Sequence, residues 1–100
     1  MNANSQHINS FNQAYFIGIG GIGMSALARY FLSKGWNVGG YDKTPSKLTE
    51  TLEKEGAIVH FEDLGDALPK EFLSKENTLV IYTPAIPKAM KELVFLQEND

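Results

Sequence analysis

Residues 16–28 read FIGIGGIGMSALA, with four glycines (Gly18, Gly20, Gly21, Gly23) in six residues, set between an apolar run and a helical pattern. A chain built this way has to break sharply out of a strand and enter a helix at once. The apolar run AYFIGI, residues 14–19, stops at the glycines as a buried strand does. In MSALARYFLSK the residues Met24, Leu27, Ala28, Phe31 and Leu32 fall at i, i+3, i+4, i+7 and i+8, the spacing of one helix face. Gly35 is placed to end that helix in a left-handed conformation.

The pattern then repeats. NVGGYD, residues 37–42, reads as a second short strand, and its two glycines imply that something packs close to it. TPSKLTETLEKEG reads as a helix with Thr44 as N-cap, Pro45 at the first helical position, a stripe of Leu48 and Leu52, a Glu50–Lys54 pair and a stop at Gly56. AIVHF (residues 57–61) is a third strand and TLVIYT (78–83) the fourth. Between them EDLGDALPKEFLSKEN reads as a helical turn and a loop. After the connection PAIP, KAMKELVFLQEN is a last helix offering Ala89, Met90, Leu93, Val94 and Leu96 for burial. Strands alternating with helices over short links predict a Rossmann-like three-layer α/β fold with a parallel sheet of four or five strands and right-handed crossovers. Residues 1–13 read as a polar, flexible tail and residues 14–100 as the domain. The chain ends just after a helix, where a doubly wound domain returns to its sheet, so a further part is expected.

The glycine turn fits G-x-G-x-x-G in the right context. Gly18 permits the tight turn, Gly20 and Gly21 leave no Cβ in the way of a ligand, and Gly23 lets the helix lie close to the strand. The free N–H groups over residues 21–25, at the positive end of the helix dipole, make an anion site for which a diphosphate is the obvious occupant. The other reading is a sharp strand-to-helix turn and nothing more. Ser25 either adds a hydroxyl to the phosphate or bonds its own backbone, and Met24 reads as core. No G-x-x-x-x-G-K-[S/T] occurs, so the turn is no ATP-hydrolysing P-loop.

Asp42 lies 19 residues after Gly23, at the end of the second strand, where dinucleotide folds place a ribose-binding acid. It could equally cap the turn DKTPS through an Asx bond. Lys43 and Thr44 border the same crevice. YTPAIP also leaves a strand's C-terminal end, and Pro84 and Pro87 stiffen it, holding Thr83 and Ala85 where they could meet the far side of a diphosphate. The alternative there is a rigid link with Pro87 starting the helix. His60 is assigned no role, and no catalytic triad, carboxylate pair or metal spacing stands out.

Composition narrows the classes. One hundred residues hold at most one domain. A net charge of −3 and a pI near 5.3 argue against a nucleic-acid partner. The chain has no cysteine, which removes disulfides and thiol chemistry and fits a reducing cytoplasm. The tail has no signal-peptide pattern, and the uncharged run over residues 14–28 is too short and too glycine-rich to span a bilayer, so a soluble cytoplasmic protein without a membrane partner is expected.

The segment FIGIGGIGMSALARYFLSKGWNVGGYDKTPSKLTETLEKEGA resembles the opening of the Mur ligases. The likeness runs from about residue 15 to about residue 95 and takes in VIYTPAIP. G-I-G-G-I-G-M-S-A-L-A is far more specific than the bare glycine motif, because the residues between the glycines match too. The resemblance implies a three-domain cytoplasmic enzyme of peptidoglycan synthesis. Its first domain binds the uridine-diphosphate part of UDP-N-acetylmuramate, the second ATP and Mg²⁺, and the third the amino acid, L-alanine in the branch matched most. Only the first domain is present, so no catalytic residue and no cofactor is expected in this chain. Carried over by position, Gly20, Gly21, Ile22, Gly23, Met24 and Ser25 would hold the diphosphate. Asp42, Lys43 and Thr44 would lie near the uridine and its ribose, and Thr83, Pro84 and Ala85 would close over the diphosphate or sugar. The family commonly has His where Tyr15 stands, Gly-Ser-Asp in place of Gly40-Tyr41-Asp42, and Gly-His in place of Glu62-Asp63. Two other readings stay open on the residues alone: an NAD(P)-binding domain of an oxidoreductase, and a non-enzymatic nucleotide-sensing module.

Overall fold

The computed structural model describes residues 11–63, 65, 69–73, 77–82 and 90–98. Four strands, β1 (Gln13–Ile17), β2 (Asn37–Tyr41), β3 (Ile58–His60) and β4 (Thr78–Ile81), pair in parallel in the order β3-β2-β1-β4. Helix α1 (Ile22–Ser33) follows β1, α2 (Lys47–Lys54) follows β2, a 3₁₀ turn (Lys70–Leu73) precedes β4, and α3 (Lys91–Glu98) follows it. The expected parallel three-layer sheet is therefore present, with four strands.

Alternation along β1 builds both layers. Ala14 and Phe16 face one side, where they join Ile19, Ala28, Val38, Leu52 and Ala57 under α1 and α2. Tyr15 and Ile17 face the other, with Phe72 and Leu93. The glycines of β2 answer to both layers, as their cost to a strand suggested. A Cβ on Gly39 would lie 2.6 Å from the Phe72 ring, and one on Gly40 would meet the Phe16 carbonyl and Ile19.

Three details differ from the sequence pattern. Leu27 is 39% exposed, while Ser25 and Ala28 are the buried residues of α1. The stripe is centred on Ala28, with Met24, Phe31 and Leu32 flanking it, and Leu27 sits about 100° round the helix from that centre. Helix α2 starts later than expected: Ser46, not Thr44, is its N-cap. Ser46 accepts from the Thr49 N–H while the Thr49 hydroxyl accepts from the Ser46 N–H, a reciprocal capping box that satisfies two otherwise free donors. Its buried residues are Thr49 and Leu52, and Leu48 stays exposed. Arg29 of α1 grips Glu55, just past α2, with two 2.8 Å bonds, which tie the two helices together.

Candidate functional site

The site is built where β1 ends. Gly18 has φ +92°, a value open to glycine, and its N–H and that of Ile19 both donate to the Tyr41 carbonyl at 2.7 and 2.9 Å. The turn is thus hung on the end of β2. Gly21 is the N-cap of α1, with no side-chain cap and no acid in the first turn of the helix. The amides of Ile22, Gly23 and Met24 have no intrahelical acceptor, and they carry the positive end of the helix dipole.

What the glycines are for differs along the turn. A Cβ on Gly20 would lie 2.8 Å from Asp42 Oδ2 and 3.0 Å from Thr49 Cγ2, so packing within the chain requires that glycine. Among the described residues, a Cβ on Gly21 would make only ordinary contacts, 3.5 Å or longer, and one on Gly23 would meet nothing within 4 Å. Gly23 therefore does not serve close packing of helix on strand, contrary to the sequence expectation. Among the described residues, two glycines that no close contact requires stand beside three amides without an intrahelical acceptor, and Ile22 between them is 84% exposed.

Asp42 joins two of the predicted segments. Its Oδ2 accepts from the Gly20 N–H at 2.8 Å and its Oδ1 from the Thr44 N–H at 3.0 Å, the second being the Asx bond that the turn sequence allowed. Lys43 and Thr44 are exposed beside it. Ser25 is turned inward: its hydroxyl donates to the Ile22 carbonyl at 3.1 Å and its N–H to the Gly21 carbonyl at 2.7 Å. The Met24 side chain packs on the core, which leaves its amide as the part facing the turn. Thr83, Pro84 and Ala85 lie outside the described residues. The strand before them, β4, pairs with β1 up to Ile81 opposite Phe16, so it ends beside the glycine turn.

On the opposite face lies a polar cluster that the sequence did not announce. Tyr15 and Glu92 are fully buried, and the Tyr15 hydroxyl donates to Glu92 Oε1 at 2.6 Å. His60 Nε2 lies 2.7 Å from Glu92 Oε2 and 2.9 Å from the Tyr15 oxygen. With the tyrosine proton committed to Glu92, Nε2 carries a proton and donates to both oxygens. Asp63 caps α3 by accepting from the N–H groups of Lys91 and Glu92 at 2.7 and 2.9 Å. Burial raises the Tyr15 phenol far above the ordinary tyrosine value, and its bond to Glu92 adds to this. Burial also raises Tyr41, helped by Asp63, Glu92 and Asp42. The only sequence hint was parity: Ile17, Tyr41 and His60 share one row of the sheet, but only once the register is known.

Tyr15→Phe would leave Glu92 without that donor and is expected to cost about 1–3 kcal/mol in urea denaturation at neutral pH. The folded phenol titrates above the unfolded one, so its contribution is complete below pH 10 and declines as pH rises past it. The gap between wild type and Tyr15→Phe should narrow by about 1.4 kcal/mol per pH unit there. A gap that stays constant from pH 8 to pH 11 would contradict the buried phenol.

A parallel sheet in this order, with a glycine turn after its first strand, defines a Rossmann-like α/β domain. Residues 13–99 match the Mur ligase family, catalytic domain, and the chain belongs to that family. It is 54% identical over 92 residues to the UDP-N-acetylmuramate–L-alanine ligase of Phocaeicola vulgatus, covering 92% of this chain and 20% of that protein. It is 57% identical over 92 residues to the protein of the same name from Parabacteroides distasonis, with the same coverage. The likeness to that of Cytophaga hutchinsonii is 56% over 96 residues, 96% of this chain and 20% of the relative. The chain thus spans about a fifth of the length of these curated relatives. Among the described residues no helix is long and apolar enough to cross a membrane.

Proposed function

We propose that this chain is the UDP-N-acetylmuramate-binding part of a cytoplasmic ligase that joins L-alanine to that nucleotide sugar in peptidoglycan synthesis. The observation that carries the reading is the pair Gly21 and Gly23, which no close contact among the described residues requires, beside the amides of residues 22–24, which have no intrahelical acceptor. A diphosphate accepts from those amides and needs the room that the missing side chains leave. The relatives' name supplies the nucleotide sugar. In this reading Ile22 covers the diphosphate, Asp42, Lys43 and Thr44 border the nucleoside, and Thr83, Pro84 and Ala85 would close over the diphosphate or sugar.

The whole enzyme would use ATP and Mg²⁺ to phosphorylate the muramoyl carboxylate, releasing ADP, and the amine of L-alanine would then displace phosphate from the acyl phosphate. The residues here do not fit that part. The sequence has no phosphate-binding G-x-x-x-x-G-K-[S/T], and among the described residues no group of three His, Cys, Asp or Glu could hold a metal ion. The role of this chain is to bind and orient the nucleotide end, and the chemistry is assigned to other regions of the full-length enzyme.

Calorimetric or NMR titration with UDP-N-acetylmuramate, UDP and NAD(H) tests the proposal. Both uridine compounds should bind, weakly, with shifts centred on residues 20–25. Binding of NAD(H) without the uridine compounds would overturn it in favour of a dinucleotide domain.

A further inference from the structure

We infer that Asp42 is a positioning residue, which clamps the glycine turn to the β2–α2 loop and does not select the ribose. The inference rests on the reading that the turn receives a diphosphate. An acid at the end of the second strand is ordinarily read as a ribose acceptor. Here both carboxylate oxygens already serve the backbone: Oδ2 holds the Gly20 N–H and Oδ1 the Thr44 N–H. The clamp has little slack, because even a Cβ on Gly20 would press on Asp42 and Thr49 at 2.8–3.0 Å. Turn, acid and α2 thus form one packed unit. The Gly20 amide is consumed by the clamp, which leaves the amides of Ile22, Gly23 and Met24 for the ligand. Asp42 acts on that ligand by holding the turn at the angle from which those three amides converge.

Asp42→Asn separates the two roles. A carboxamide has one acceptor oxygen, and asparagine supports an Asx turn as well as aspartate does. The Thr44 bond therefore survives, while an NH₂ group is turned towards the Gly20 N–H. The experiment compares wild type and Asp42→Asn by amide hydrogen exchange, and by titration with UDP and 2′-deoxy-UDP. Exchange at Gly20 should accelerate by about tenfold or more, the loss expected for one hydrogen bond to a charged group, with Thr44 little changed. Affinity for UDP and 2′-deoxy-UDP should fall by the same factor. A variant that loses UDP but keeps its affinity for 2′-deoxy-UDP would make Asp42 a ribose acceptor and overturn the inference, as would unchanged exchange at Gly20. If wild type binds neither nucleotide, the diphosphate reading fails, and exchange at Gly20 alone still decides whether the clamp exists.

Discussion

Valine at position 21 should remove UDP-N-acetylmuramate binding by more than about tenfold, at least 1.4 kcal/mol, while the protein stays folded. Gly21 has φ −64° and ψ 152°, an extended conformation open to any residue. A Cβ there comes no closer than 3.5 Å to the Gly18 carbonyl and 3.6 Å to Met24, so the fold can accept it. The cost to stability is the poorer N-cap quality of valine, about 1 kcal/mol. The branched methyl groups instead fill the space in front of the amides of residues 22–24, where the proposed diphosphate would sit. Gly23→Ala sharpens the case. That position is helical, and a Cβ there meets nothing within 4 Å among the described residues, so alanine should stabilise the fold by about 0.5–1 kcal/mol. The same methyl group narrows the anion site. A variant that melts later yet binds more weakly separates a glycine kept for a ligand from one kept for the fold. Calorimetry and thermal melts on both variants check this, and a Gly21→Val protein that binds as wild type does would move the anion site away from the turn.

The parts legible in the sequence were those whose cause is local. The first strand (expected over residues 14–19 and found at Gln13–Ile17), the glycine turn and the Gly35 stop each follow from residues adjacent in the chain. Where two local rules competed, the tertiary partner decided. Thr44-Pro45 and Ser46 are both sound helix starts, and the Thr49 hydroxyl, reaching back to the Ser46 amide, selected the second. The face of α1 was misjudged at Leu27 because periodicity weighs apolar character and not closeness. Against the sheet there is room for the small Ser25 and Ala28, and the larger Leu27 goes to the rim. The Tyr15–His60–Glu92 cluster was out of reach, since it needs the strand register and the docking of α3 together. The candidate site divides along the same line. Its amides and glycines could be read from the chain, whereas the inward turn of Ser25 and the double use of Asp42 come from contacts made on folding.

The largest loss of stability should come from Gly40→Ala, a change of one methyl group in β2. Gly39 and Gly40 both lie under close neighbours, but the neighbours differ in how far they can yield. At Gly39 the closest obstacle is a side chain, the edge of the Phe72 ring on a short 3₁₀ turn, 2.6–2.7 Å from the added carbon, with the Ile58 carbonyl of the edge strand β3 at 3.1 Å. At Gly40 it is the carbonyl of Phe16, the residue directly opposite in β1, with the Ile19 Cβ and Cδ1 at 3.0 Å. A backbone carbonyl of a central strand, paired on both sides, cannot move without breaking the β1–β2 or β1–β4 ladder. Overpacking costs about 1–3 kcal/mol, and a neighbour that cannot yield places this change at the upper end. That is a large share of the roughly 5–15 kcal/mol that holds a domain of this size. Urea denaturation should place Gly40→Ala clearly below Gly39→Ala, with wild type above both. The damage also reaches the site. The Tyr41 carbonyl, one residue on, accepts the N–H groups of Gly18 and Ile19, so any displacement of β2 tilts the glycine turn. Gly40→Ala should therefore weaken nucleotide binding even at temperatures where the variant is still folded. An unfolding free energy within about 0.5 kcal/mol of wild type, the range of an ordinary surface substitution, would show that β1 and β2 do not approach as closely as this register requires.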